Sequence, residues 1–201
     1  IYDGGIFRDV FLTSAPLAQI KDYKVETDLD STYTNADLKV KMEVRNLSTS
    51  NLENWSVDLA VYDEDGTNIQ ANATDISQAV SVNAGEEGIV QITSRVNNPK
   101  LWSSEHPNLY ALVLHLKDAD GNVVETLSTQ LGFREIEYTH TQTDDDGWTT
   151  TTKWDPIKIN GENLLLKGTD RHDSDPVYGK ATPMKSVEAD LSLMKQNNIN
   201  A

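Results

Sequence analysis

Over the first two-thirds of the chain, apolar and polar residues alternate. In LKVKMEVRN, Leu38, Val40, Met42 and Val44 fall on one side, and Lys39, Lys41, Glu43 and Arg45 on the other. A period of two is that of a strand with one face in a core and one in water. WSVDLAVYDEDG repeats the pattern with Trp55, Val57, Leu59 and Val61, then turns at Asp65-Gly66. GIVQITSRV follows the turn-like Asn83-Ala84-Gly85 and sets Val90, Ile92 and Val96 on one face. In LYALVLHLKDADGNVVETLSTQLGF, Tyr110, Leu112, Leu114 and Leu116 alternate, Asp120-Gly121 offers a turn with positive φ, and Val123 to Leu131 return. That is a hairpin signature. Strands punctuated by turns, with no helical window between them, predict a mainly β fold: an antiparallel, immunoglobulin-like β-sandwich over residues 16–134.

The flanks read differently. GGIFRDVFLTSAP in residues 1–15 reads as a strand, either the last of a preceding domain or a linker strand. After Phe133-Arg134 the texture changes, and residues 135–201 are expected to start something new. TQTDDDGWTTTTKWDP has an acidic turn between Thr-rich arms, the pattern of a hairpin carrying Trp148 and Trp154. IKINGENLLLKG reads as a short strand, an Asn160-Gly161 turn and a second strand. Three consecutive leucines, Leu164 to Leu166, imply burial on both faces, which suits a parallel strand. In TPMKSVEADLSLMKQNN, Met184, Val187, Leu191 and Met194 recur at helical spacing. Thr182 is expected to cap that helix, Pro183 to open it and the Asn pair to end it. Strand, loop, helix and the opening of another strand at INA make one β/α unit of a parallel α/β fold, incomplete at Ala201.

Composition and charge narrow the function classes. With 201 residues, 37% hydrophobic and 24% charged, the chain is long enough for a large globular domain. There is no cysteine, so disulfides and thiolate metal sites are excluded. A net charge of -15 repels phosphate backbones and anionic lipid, so neither nucleic acid nor a membrane surface is expected as a partner. Neutral ligands such as sugars are not disfavoured. No apolar run reaches the roughly 18 residues of a membrane span. The first residues lack a basic start and an apolar core, so they read as a chain entered in the middle rather than as a leader. Localisation is left open between bacterial cytoplasm and secretion.

Candidate chemistry concentrates in LLLKGTDRHDSDP. Polar residues just past the C-terminal end of a parallel strand lie at the active-site face of an α/β fold. Arg171, His172 and Asp173 hold that position, although an Arg–Asp pair bracing a surface loop, with His172 a bystander, fits the same residues. Trp55 and Trp102 read as packing residues rather than sugar platforms. Trp148 and Trp154 stay open between packing and ligand contact. His106 reads as a turn residue, His115 as exposed and His140 as part of the hairpin arm, and none of them has metal-ligand spacing. Asp144 to Asp146 with Asp175 could bind a cation weakly, but a solvated turn suits the run better, since it lacks the EF-hand pattern.

Four stretches resemble the family 2 glycoside hydrolases, the β-galactosidase group. They are GGIFRDVFL, NPKLWSSEHPNLYAL, LGFREIE, and INGENLLLKGTDRHDSDP followed by LMKQNNINA. The resemblance implies, in order, the close of a sugar-binding jelly roll, an immunoglobulin-like domain, the crossing out of it, and the first strand, loop and helix of a TIM-barrel catalytic domain. Arg171 before His172 is closer to bacterial β-galactosidases than to glucuronidases, which tend to carry lysine there. The resemblance implies that His172 contacts sugar hydroxyls, while Arg171 and Asp173 shape the loop. Asp173 stands where the family usually has glutamate, one methylene longer. Retaining glycoside hydrolysis needs two carboxylates about 5–5.5 Å apart. In this family both are glutamates far along the barrel, so they are expected beyond Ala201. Glu162 in a turn and Glu188 in mid-helix are poor substitutes. The chain alone is therefore expected to be a non-catalytic fragment, with no cofactor of its own and Mg or Na ions a feature of the parent enzyme. The parent would hydrolyse β-galactosides. Self-association through the incomplete barrel segment is a further expectation. The alternative is a stand-alone β-sandwich module for carbohydrate binding or adhesion.

Overall fold

The computed structural model describes residues 6, 8–70, 73–138, 140–144 and 150–201, with the arms 141–144 and 150–153 described by their backbone alone. The chain forms two compact units: Ala15–Asn163, and the described residues up to Ser14 together with Leu164–Ala201.

In the first unit the alternating segments become β1 (Ala18–Leu29), β2 (Ala36–Asn46), β3 (Leu52–Tyr62), β4 (Ser77–Val82), β5 (Glu87–Val96), β6 (Tyr110–Lys117) and β7 (Val123–Leu131). Among the described residues they pair antiparallel in two sheets, ordered β1-β2-β5 and β4-β3-β6-β7. This is the expected sandwich. Register places inward residues opposite inward residues: Val40 lies between Val25 and Ile92, and Leu59 faces Leu114. Leu38, Val40, Met42, Val44, Val57, Leu59, Val61, Leu112, Leu114 and Leu116 are buried. Burial of each such side chain contributes about 1.5–3 kcal/mol. Trp55 packs against the margin of this core, as expected of a packing residue. Phe133 closes one end, its ring 5.1 Å from that of Tyr110 in an edge-to-face contact.

Compactness continues past residue 134, where the alternation stops. Strands β8 (Ile136–Glu137), β11 (Lys158–Ile159) and β12 (Glu162–Asn163) form a small sheet, and β9 (His140–Asp144) pairs with β10 (Thr150–Trp154) as the expected hairpin. The turn between β11 and β12 has φ of 51° at Asn160 and 81° at Gly161, the conformation that Asn-Gly favours. Asn160 also ties this sheet to the sandwich. Its Nδ2 donates to the Trp102 carbonyl at 3.0 Å, and its Oδ1 accepts from the Glu135 amide at 3.0 Å. Tyr33 donates its hydroxyl to Glu137 at 2.9 Å.

In the second unit the helix forms as α1 (Met184–Gln196). Its N-cap is Pro183, without a side-chain cap. Thr182, expected to cap, instead leaves its Oγ1 buried without a hydrogen-bond partner among the described residues. The other end follows the Asn pair. Asn198 is left-handed at φ 61°, its amide donates to the Lys195 carbonyl at 3.1 Å, and Ile199 donates to Met194 at 3.0 Å. That is a Schellman ending. It turns the chain back, so that the Ala201 amide donates to the Lys167 carbonyl at 3.3 Å and the Thr169 amide to the Ala201 carbonyl at 3.2 Å. These two bonds have the offset of a parallel pair.

Two expected strands differ. Leu164 to Leu166 do not form a doubly buried strand: Leu165 is 71% and Leu166 53% exposed. A parallel strand is buried only between neighbouring strands and covering helices. Here, among the described residues, pairing begins only at Lys167 and involves only the last residues of the chain. The strand expected in residues 1–15 is likewise not formed among its described residues, where Val10, Phe11 and Leu12 are exposed.

Candidate functional site

The segment after the Lys167–Thr169 pairing is held by ionic and hydrogen-bonded contacts. The Arg171 side chain is only 18% exposed. Its Nη1 donates to Asp173 Oδ1 at 2.5 Å and its Nε to Asp190 Oδ2 at 2.9 Å. Asp173 Oδ2 accepts from Arg8 Nη2 at 2.6 Å, across 165 residues of sequence. Asp175 makes a second anchor. Its Oδ1 accepts from the amides of Val177 at 2.8 Å and Tyr178 at 3.0 Å, and its Oδ2 accepts from Ser186 Oγ at 2.6 Å. Ser186 and Asp190 lie four residues apart on α1, hence on one face of it. The loop is therefore fastened to that helix at two successive turns.

These contacts set the charges. Hydrogen bonds from Arg8, then from Arg171, hold the Asp173 carboxyl below its ordinary range. Asp175 is lowered by Ser186 first, then by the two amides. Arg171 is raised, by Asp190 first and then Asp173. A general acid for glycoside cleavage needs a raised carboxyl pKa, so neither aspartate is suited to that work.

His172 stands apart. It is exposed, and among the described residues no hydrogen bond or ion pair reaches its ring. Its carbonyl accepts from the Ser174 amide at 2.9 Å, which shapes the turn beneath the imidazole. The structure thus brings Arg171 and Asp173 into direct contact and leaves His172 presented to solvent. Arg8, Ser186 and Asp190 were not singled out in the sequence. Nothing in spacing links Arg8 to Asp173, and a Ser and an Asp on the polar side of an amphipathic helix look like solvated residues.

Other sequence candidates sort by contact. Trp102 packs against Gly132, where an added Cβ would sit 2.9 Å from the Trp102 Cβ, and the Arg134 guanidinium lies 4.5 Å over its ring. Trp154 is exposed, with the His140 ring 4.8 Å away. Trp148, Asp145 and Asp146 lie outside the described residues. His106 occupies a turn, its carbonyl accepting from the Ser103 and Asn108 amides. His115, expected exposed, is 23% exposed and sits 3.4 Å from Asp58, its cross-strand partner in β3. An acidic residue directly opposite shields it, a relation that the order of residues along one strand does not disclose. Among the described residues no group of three or more His, Asp or Glu side chains is placed to hold a metal ion. None of their helices is long and apolar enough to cross a membrane.

Residues 18–134 match the profile of the glycosyl hydrolases family 2, and residues 150–201 match the family 2 TIM barrel domain. The chain belongs to glycosyl hydrolases family 2. Its relatives include a β-galactosidase of Priestia megaterium, 35% identical over 98% of this chain. A β-galactosidase of Vibrio cholerae is 32% identical over 98%. The chain spans only 17% and 18% of those relatives' lengths. Among solved structures, a β-glucuronidase of Bacteroides uniformis superposes with a TM-score of 0.75 at 24% identity, over 96% of this chain and 22% of that one. A β-galactosidase-like protein of Bacteroides fragilis gives 0.68 at 21%, over 86% and 23%. These likenesses bear out the fold: a β-sandwich with the start of a family 2 barrel. The sequences place the chain among the β-galactosidase-like members.

Proposed function

We propose that this chain serves a retaining β-galactosidase as the sandwich that spaces a sugar-binding domain from the catalytic barrel, and as the bearer of one substrate-contacting loop. His172 contacts hydroxyls of a terminal β-galactoside, and Arg171 and Asp173 hold its loop. The observation that carries this reading is the doubly fastened loop that leaves the His172 imidazole exposed and unpaired. An imidazole can donate or accept a hydrogen bond, which suits it to a sugar hydroxyl. The carboxylates beside it are committed to Arg8, Arg171, Ser186 and backbone amides. The family resemblance implies that the nucleophile and the acid/base are glutamates outside these residues.

The test is hydrolysis of o-nitrophenyl β-galactoside by the protein expressed from its full reading frame. Wild type turns over, and His172→Ala lowers kcat/KM by about tenfold to a hundredfold, the worth of one or two hydrogen bonds to a buried polar ligand. An unchanged kcat/KM in His172→Ala refutes the assignment.

A second reading, a stand-alone carbohydrate module, draws on the self-contained core of Ala15–Asn163. Trp55 and Trp102 argue against it: Trp55 is packed on the core, and Trp102 carries the Arg134 guanidinium over its ring. Saturable binding of β-galactosides or oligosaccharides by the chain alone would favour the module.

A further inference from the structure

The ionic chain through the candidate loop runs Arg8–Asp173–Arg171–Asp190. Two of its members, Arg171 and Asp173, belong to the loop itself, and Asp190 belongs to the helix that follows. Arg8 comes from the far end of the sequence. It approaches the one carboxylate oxygen of Asp173 that Arg171 does not occupy: Arg171 takes Oδ1 at 2.5 Å and Arg8 takes Oδ2 at 2.6 Å. Asp173 is thus clamped between two guanidiniums immediately after His172. Without Arg8, Asp173 keeps a single partner and can rotate about its χ angles with Arg171 following. The Ser174 amide bond to the His172 carbonyl, which sets the turn, would then depend on Arg171 alone.

We propose that Arg8 is a positioning residue: through Asp173 it fixes the turn that presents the His172 ring. The inference rests on the reading of His172 as a sugar contact. Arg8 itself touches neither His172 nor, on this account, the substrate.

Asp173 is faced by Arg8 from the N-terminal segment and by Arg171 from its own loop, and Asp190 on α1 faces Arg171 from the other side. Loss of Arg8 removes one of the two cations holding Asp173 ionised, so its titration midpoint moves upward.

The experiment compares wild type, Arg8→Gln, Arg8→Lys, Asp173→Asn and the Arg8→Gln/Asp173→Asn double variant as the 201-residue chain, by NMR without any sugar. Amides of β2 and β6 serve as the control for folding. In Arg8→Gln the Asp173 carboxyl titrates at higher pH, and protection of the Ser174 amide falls about threefold, the scale of one exposed ion pair. Asp173→Asn reproduces that fall and the double variant adds nothing to it. Arg8→Lys restores the titration midpoint in part. An unmoved Asp173 titration with unchanged Ser174 protection overturns the inference.

A second arm measures hydrolysis in the protein expressed from its full reading frame. Arg8→Gln lowers kcat/KM about threefold in wild type and not at all in His172→Ala. An equal loss in both backgrounds means that Arg8 acts elsewhere and overturns its role as a positioner of His172. If no form hydrolyses galactosides, the reading of the site fails, while the NMR arm still decides whether Arg8 sets the loop.

Discussion

Asn46 shows how a single polar side chain secures this sandwich. It is buried at the end of β2, and its Nδ2 donates to the carbonyls of Ser50, Val82 and Asn83 at 2.8, 3.2 and 3.1 Å. Its Oδ1 accepts from the amide and hydroxyl of Ser48 at 3.0 and 2.7 Å. Asn46→Ala strands several of these groups, so the unfolding free energy by urea titration should drop by about 3 kcal/mol. Glu87 gives a pH-dependent contribution. Lys21 first, with Glu43 and Arg45, draws it from an ordinary value of 4.5 down to about 2. A carboxyl lowered in the folded state stabilises fully above its unfolded pKa and loses that contribution as pH falls through the folded value. The stability difference between wild type and Glu87→Gln is therefore present at neutral pH and fades between about 4.5 and about 2. Neither residue stood out in the sequence. Asn46 sits in an Asn-Leu-Ser-Thr-Ser stretch that reads as an ordinary polar turn, and Glu87 acquires its partners only when β1, β2 and β5 align. The placement of His172 in an exposed loop after an apolar run, by contrast, is legible, because it is local information.

Elements whose side-chain period is set by their own backbone were the readable ones. β2, β3, β5 and β6 alternate because one face of each is buried, and α1 keeps its apolar spacing of three and four although none of its residues is buried. The Asn160-Gly161 turn was readable because positive φ is a property of the residues themselves. It carries a close contact too, since a Cβ on Gly161 would lie 2.5 Å from the Tyr33 ring. Gly161→Ala should destabilise the first unit by about 1–2 kcal/mol for the backbone alone, read as a shift in the urea midpoint. Hydrogen exchange should rise first in β11 and β12. The triple-leucine segment forms no strand here for the complementary reason. Three apolar residues in a row state that burial is wanted on both sides, but burial is delivered by neighbours, and Leu165 and Leu166 remain exposed.

At the scale of the whole molecule, the family was legible because four motifs occur in the right order, each tied to a distinct piece of backbone. The ionic clamp was not, because Arg8 and Asp173 are 165 residues apart and meet only through folding. A self-contained sandwich core is accompanied by a loop that presents an imidazole and by neighbouring carboxylates held below their ordinary pKa range. On the function proposed above, this chain positions groups that contact the substrate and leaves cleavage of the glycosidic bond to other parts of the enzyme. Turnover of o-nitrophenyl β-galactoside by the purified 201-residue chain tests it directly. The expected release of nitrophenol is no faster than in the protein-free control, and turnover at an enzyme-like rate, about 1 per second or more, overturns the assignment.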